Sequence, residues 1–251
     1  MQFGRRKQQR GQEPEQAAPP EEIAEREHAV GRLLEAGLHE DAAPLMRELL
    51  ADYERHLGHR HPTTISLYDA LGHTLYQLRR LPEAEDMHRE AYQRSTVVEG
   101  PDHARTLTYA HNLGAALVIG EETEQGITLL TRTLERREAL LGADHRDSLD
   151  TAAVLGAVLF STGDHVRGHE LLERTWTRYA ASLGPDDLQT LAAAGNLAAA
   201  RHAVGRTRDA AQLLAEVVQG YARVLGPDHE LTLHTRSRLD TMTRAAGLRP
   251  D

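Results

Sequence analysis

Gly58, Gly100, Gly142, Gly184 and Gly226 stand at a constant interval of 42 residues. Thr64, Thr106, Ser148, Thr190 and Thr232 keep the same interval, each followed directly by Ile65, Leu107, Leu149, Leu191 or Leu233. Leu71, Leu113, Leu155, Leu197 and Leu239 hold it again, with no residue gained or lost. A register kept this strictly confines the chain to architectures made by stacking copies of one supersecondary unit.

Within a period the pattern reads as two amphipathic helices. In "TLTYAHNLGAALVIG" (106–120), Leu107, Ala110, Leu113 and Leu117 recur at helical spacing. In "EQGITLLTRTLERREALLG" (124–142), Ile127, Leu130, Leu134 and Leu141 do so, with Arg and Glu on the other face. Small residues occupy fixed positions on both helices: Gly72, Gly114, Gly156 and Ala198 on the first, Ala84, Gly126, Gly168 and Ala210 on the second. A larger side chain there would force the two helices apart. Aromatic residues are only 4% of the chain, which suits helices packed through small and medium side chains.

The run Tyr68-x-x-Leu71-Gly72-x-x-Leu75, followed by Ala84 and Ala91, resembles a tetratricopeptide repeat. The 42-residue period and the "LGPDH…TL" connector are similar to the kinesin-light-chain type, over roughly residues 57–247. HEAT repeats share the period, but not this Leu-Gly and Ala spacing. The resemblance implies an all-α, right-handed superhelical solenoid, with the first helix of each pair lining the concave face.

Units are expected at 22–57, 58–99, 100–141, 142–183 and 184–225, with a capping helix in 226–247. The first unit is degenerate: Ala42, Leu45 and Leu49 hold second-helix positions, but the Leu-Gly of the first helix is missing. The expected helices are 22–36 and 39–56, 62–78 and 81–98, 104–120 and 123–140, 146–162 and 165–182, 188–204 and 207–224, then 230–246. Residues 1–21 are too polar to offset the entropy of ordering them and read as a disordered tail. Its Arg5, Arg6, Lys7 and Arg10 could touch an acidic partner.

Net charge is −9, and the tail holds four of the cations, so the repeats are more acidic still. That argues against nucleic acid or an anionic membrane as the main partner. There is no cysteine, no apolar run approaches a membrane span of about 20 residues, and the first residues lack a secretory signal's apolar stretch. The chain reads as soluble and cytoplasmic.

The recurrent "PDH" invites a catalytic or metal reading. Its place after a helix-ending Gly gives a simpler one: Pro101, Pro185 and Pro227 block continuation, and Asp102, Asp144, Asp186 and Asp228 are expected to cap the next helix. His56, His59 and His61 crowd one turn, but no carboxylate or cysteine completes a ligand set nearby. His165 and His169 lie at i and i+4 without the Glu of a hydrolytic zinc motif. No P-loop, dinucleotide Gly motif or G-x-S-x-G is present, so neither cofactor, metal nor catalysis is indicated.

An extended groove suits a peptide or protein segment. Placing the first helices in the tetratricopeptide frame puts four rows of side chains in it. They are Asp69, His111, Ala153, Gly195; Ala70, Asn112, Val154, Asn196; His73, Ala115, Ala157, Ala199; and Tyr76, Val118, Phe160, His202. The resemblance implies that asparagines of the second row grip a peptide backbone; Asn112 and Asn196 match, whereas Ala70 and Val154 do not. Tyr76, Val118 and Phe160 form either an apolar strip for a hydrophobic anchor or ordinary packing. The rows hold no Lys or Arg, unlike the basic groove with which kinesin light chains are thought to hold acidic cargo. The resulting expectation is a non-catalytic interaction module that takes a partner's peptide or helix. The alternative is a peptide-responsive sensor acting on a signalling NTPase or transcription regulator.

Overall fold

The computed structural model describes residues 21–120 and 122–247. Among them are eleven helices and no strand. They are α1 (Glu21–Glu35), α2 (His39–His56), α3 (Pro62–Gln77), α4 (Leu81–Glu99), α5 (Ala104–Ile119), α6 (Thr123–Leu141), α7 (Arg146–Ser161), α8 (His165–Leu183), α9 (Leu188–Ala203), α10 (Thr207–Val224) and α11 (Glu230–Ala245). Each expected helix is present, with its ends shifted by no more than one residue. The degenerate first unit forms a hairpin like the others. The basic tail lies outside the described residues, except that Glu21 opens α1.

Every helix packs on the helices before and after it in sequence, so the hairpins stack as a solenoid. Beyond these neighbours, direct contact is greatest between successive first helices, α5 with α7 and α7 with α9. Close approach of alternate helices marks the inner side of a curved stack, and first helices occupy it. The core runs along the stack as apolar clusters. Leu71, Leu113, Leu155 and Leu197 from the first helices are buried in it, as are Leu130, Leu172 and Leu214 from the second.

The small residues act where anticipated. A Cβ on Gly168 would fall 2.5 Å from the backbone nitrogen of Phe160, across the α7–α8 hairpin. One on Gly126 would meet the Gly114 carbonyl oxygen at 2.7 Å in the preceding pair. Ala84 and Ala210 hold the matching positions in hairpins whose helices leave room for a methyl, and both are buried.

Each helix-ending glycine has positive φ, from 87° at Gly58 to 100° at Gly226, a conformation that costs a glycine little. The cap one step further on corrects the sequence expectation. Asp102, Asp144 and Asp228 do not cap the following helices; the next residue does. His103 Nδ1 accepts from the Arg105 N–H, His145 from Asp147 and His229 from Leu231, as His61 does from Thr63. In the fourth connector the capping position holds Asp187, whose carboxylate accepts from Gln189 and Thr190. An unprotonated imidazole nitrogen and a carboxylate oxygen do the same work there, which is why the two residue types interchange.

The preceding aspartates, one residue outside the cap, pair forward with the second helix of the hairpin they open. Asp102 lies 3.5 Å from Arg136, Asp144 lies 3.5 Å from Arg178, and Asp186 pairs with Arg223. These exposed ion pairs are worth little individually. The recurring hydroxyl completes the connector: Ser148 donates to the Gly142 carbonyl at 2.9 Å and Thr232 to that of Gly226 at 2.8 Å.

Candidate functional site

The open side of the first helices shows a consistent chemistry. Ala70, Asn112 and Val154 are partly exposed and Asn196 is exposed; in the next row His73 and Ala199 are exposed and Ala115 and Ala157 partly so. No lysine or arginine interrupts these two rows. The face is therefore shallow, nearly uncharged, and accessible over four hairpins.

Of the remaining sequence-assigned residues, all but His202 sit deeper. Asp69 is buried and His111 largely so. Tyr76, Val118 and Phe160 are half-buried and pack against three different core clusters, and the Phe160 ring lies 4.7 Å from that of His165. They are not joined into one open strip. His202 is exposed, 3.1 Å from the Thr207 hydroxyl, beside a cavity of about 350 Å³ that His234, Arg238 and Met242 also line. A cavity of about 510 Å³ on the side of the second helices has charged walls, including Arg89, Glu124 and Arg132.

Asn112 is committed within the chain. Its Nδ2 donates to both carboxylate oxygens of Asp69 at 3.0 Å and lies 3.2 Å from His73 Nε2, so it ties α5 to α3. Only its carbonyl oxygen is left to face a ligand. Asn196 is the family-matching amide that stands exposed on the open face.

Asp69 also holds two imidazoles. His88 Nδ1, from α4, lies 2.7 Å from Asp69 Oδ1, and His73 Nε2 lies 3.5 Å from Asp69 Oδ2. The two rings meet edge to face with centroids 4.9 Å apart. Burial alone would raise the Asp69 carboxyl. Hydrogen bonds with His73, His88 and Asn112 outweigh it and hold the group well below the usual carboxylate range. The same contact with Asp69 raises His73, against the opposing effect of its own partial burial. His111 behaves oppositely: burial pushes it down to about 4, and the Arg137 charge adds to the effect. Its Nδ1 is buried without a partner, so it is an unpaired neutral ring beside the network.

The turn histidines are dispersed. A carboxylate does stand nearby, contrary to the sequence expectation: His59 Nδ1 faces Glu54 at 2.8 Å, while His61 caps α3. Among the described residues, the group whose ligand atoms converge is Asp69, His73 and His88.

Tetratricopeptide-repeat family models match residues 27–96, 71–125 and 155–222, and a second such model matches 106–147. The chain belongs to the tetratricopeptide repeat family. No curated protein matches it in sequence. Solved structures share the fold. A Podosopora anserina protein described as a kinesin light chain with nearly identical TPR-like repeats has a TM-score of 0.70 at 20% identity, over 83% of this chain and 99% of that one. BtubC (BKLC) from P. vanneervenii gives 0.67 at 19% identity, over 81% of each chain. A Rap protein complexed with Competence and Sporulation Factor gives 0.67 at 12% identity, over 92% of this chain and 68% of that one.

Against the regular tetratricopeptide frame, His88 is the feature the sequence reading missed. The equivalent second-helix positions hold Leu130, Leu172 and Leu214, each 42 residues on. That break in an apolar column was the available signal. No helix among the described residues is long and apolar enough to cross a membrane.

Proposed function

We propose that this chain is a non-catalytic interaction module that holds a peptide or helical segment of a partner protein against the open face of its first helices. The observation that carries this reading is the pair of rows from Ala70 to Asn196 and from His73 to Ala199. Both are accessible, and apart from His73 they present small or amide side chains, with no Lys or Arg. Small residues let a ligand backbone approach closely, and exposed amides such as Asn196 can hold it by main-chain hydrogen bonds. The absent cations speak against an acidic partner segment. No catalytic role is needed for any residue of the face, and the cell interior is the proposed location.

The test is a peptide array probed with the whole chain and with Ala199→Arg, an exposed groove position. Peptides captured by the natural chain should lose roughly tenfold or more in affinity, about 1.4 kcal/mol, on this substitution. Binding unaffected by Ala199→Arg would place the partner elsewhere. The structural likeness to a Rap protein complexed with Competence and Sporulation Factor supports a second reading, a sensor whose curvature changes on peptide binding. A scattering curve that shifts when a captured peptide is added favours the sensor; an unchanged curve favours a rigid scaffold.

A further inference from the structure

We propose that Asp69, His73 and His88 form a binding site for a late first-row divalent metal ion, with Zn²⁺ as the simplest occupant. One potential ligand atom from each residue lies within 4.8 Å of the other two. Two imidazoles and a carboxylate are a donor set suited to such ions. Ligand atoms around a four-coordinate Zn²⁺ stand about 3.3–3.6 Å apart, from bond lengths near 2.1 Å. His73 Nε2 stands 3.5 Å from Asp69 Oδ2 and His88 Nδ1 stands 2.7 Å from Asp69 Oδ1, so the carboxylate must turn to present one oxygen to both rings and the His88–Asp69 pair must open by under about 1 Å.

The repeat frame does not call for these residue types. In the later hairpins the position of His88 is leucine and that of His73 is alanine, while Asp69 aligns with His111, Ala153 and Gly195. The later hairpins fill the same positions without burying a carboxylate, whose desolvation costs free energy. The second hairpin alone carries three ligand-type side chains at once. Their exposures are also graded as a metal site with an open position requires. The His88 side chain is 4% exposed and Asp69 12%, whereas His73 is 58% exposed on the open face of α3. An ion held there would keep coordination positions toward the groove, for water or for a donor of a bound segment. Turning over the Asn112 amide would bring its carbonyl oxygen toward the same centre.

The test is titration of the full chain with ZnCl₂ by calorimetry, together with the visible absorption of the Co²⁺ form. One equivalent should bind, and Co²⁺ should give ligand-field bands. Loss of a group that only hydrogen-bonds a metal ligand lowers metal affinity about 10–100-fold, so His73→Ala, which removes an exposed ligand, should weaken binding at least that much. His59→Ala should leave binding unchanged. Asp69→Asn should also abolish it; circular dichroism reports whether that variant folds, and if it does not, His73→Ala decides the matter. Absence of binding, equal binding by His73→Ala, or loss of binding in His59→Ala overturns the proposal. The probe is the metal alone, so none of these outcomes bears on peptide capture.

Discussion

His145 and Asp187 hold the same place one hairpin apart, and both accept hydrogen bonds from the first turn of the helix they precede. The cap is thus a demand for an acceptor, not for a particular side chain. His145→Asp should leave the stability of the chain unchanged or slightly higher at neutral pH. His145→Ala should cost about 1 kcal/mol, read from the midpoint of urea unfolding. The sequence alone could not assign this cap, because an Asp and a His, both able to accept, lie side by side before α5, α7 and α11. His111 gives the pH dependence. Its pKa in the fold, about 4, lies below the ordinary value of 6.5. Between those values the unfolded chain binds the extra proton, so stability is full above pH 6.5 and is lost as pH falls toward 4. His73, shifted the other way, stabilises below its ordinary range and loses that contribution as pH rises through its raised value. His111→Leu should remove acid sensitivity on the order of 1–2 kcal/mol in that window, measured by urea unfolding at several pH values. An unchanged pH profile would show that the ring is not held neutral.

At the scale of the element, a helix hairpin is set by how near its two axes can come. Gly168 lies against the backbone of Phe160, and backbone cannot swing aside as a side-chain end can. Gly168→Ala gains up to about 1 kcal/mol in helix propensity but introduces this overlap. The overlap should prevail, with a net loss of about 1–3 kcal/mol measured as a lower denaturant midpoint. Helix boundaries and the small-residue seam were legible because both follow from local rules repeated at a fixed interval. The Asp69–His73–His88 cluster was less so. Asp69 and His73 could be placed on one helix face, but His88 comes from the partner helix. Only an aligned column of Leu130, Leu172 and Leu214 exposes it as a substitution. Asn112 is partly exposed on α5, yet its amide nitrogen is engaged by Asp69, a contact between hairpins that no single helix pattern reveals.

At the scale of the molecule, the stack makes two long surfaces of different character. The second helices carry abundant Arg and Glu, which solvate that side and pair between hairpins, as Arg47 does with Glu83 and Arg174 with Glu138. The first helices carry Ala, Asn and isolated His, a surface solvated less and open to contact. Repeat architecture follows from the sequence register, whereas the partner depends on a few variable side chains along a common frame. The most direct measurement installs a photo-activated crosslinking residue at Ala199, on the first-helix face, and separately at Gln212, on the second-helix face of the same hairpin. Each full-length chain is irradiated in its native cell, and the adducts are mapped by mass spectrometry. The account predicts a recurring partner segment joined at position 199 and absent at 212. Adducts confined to 212 would contradict it.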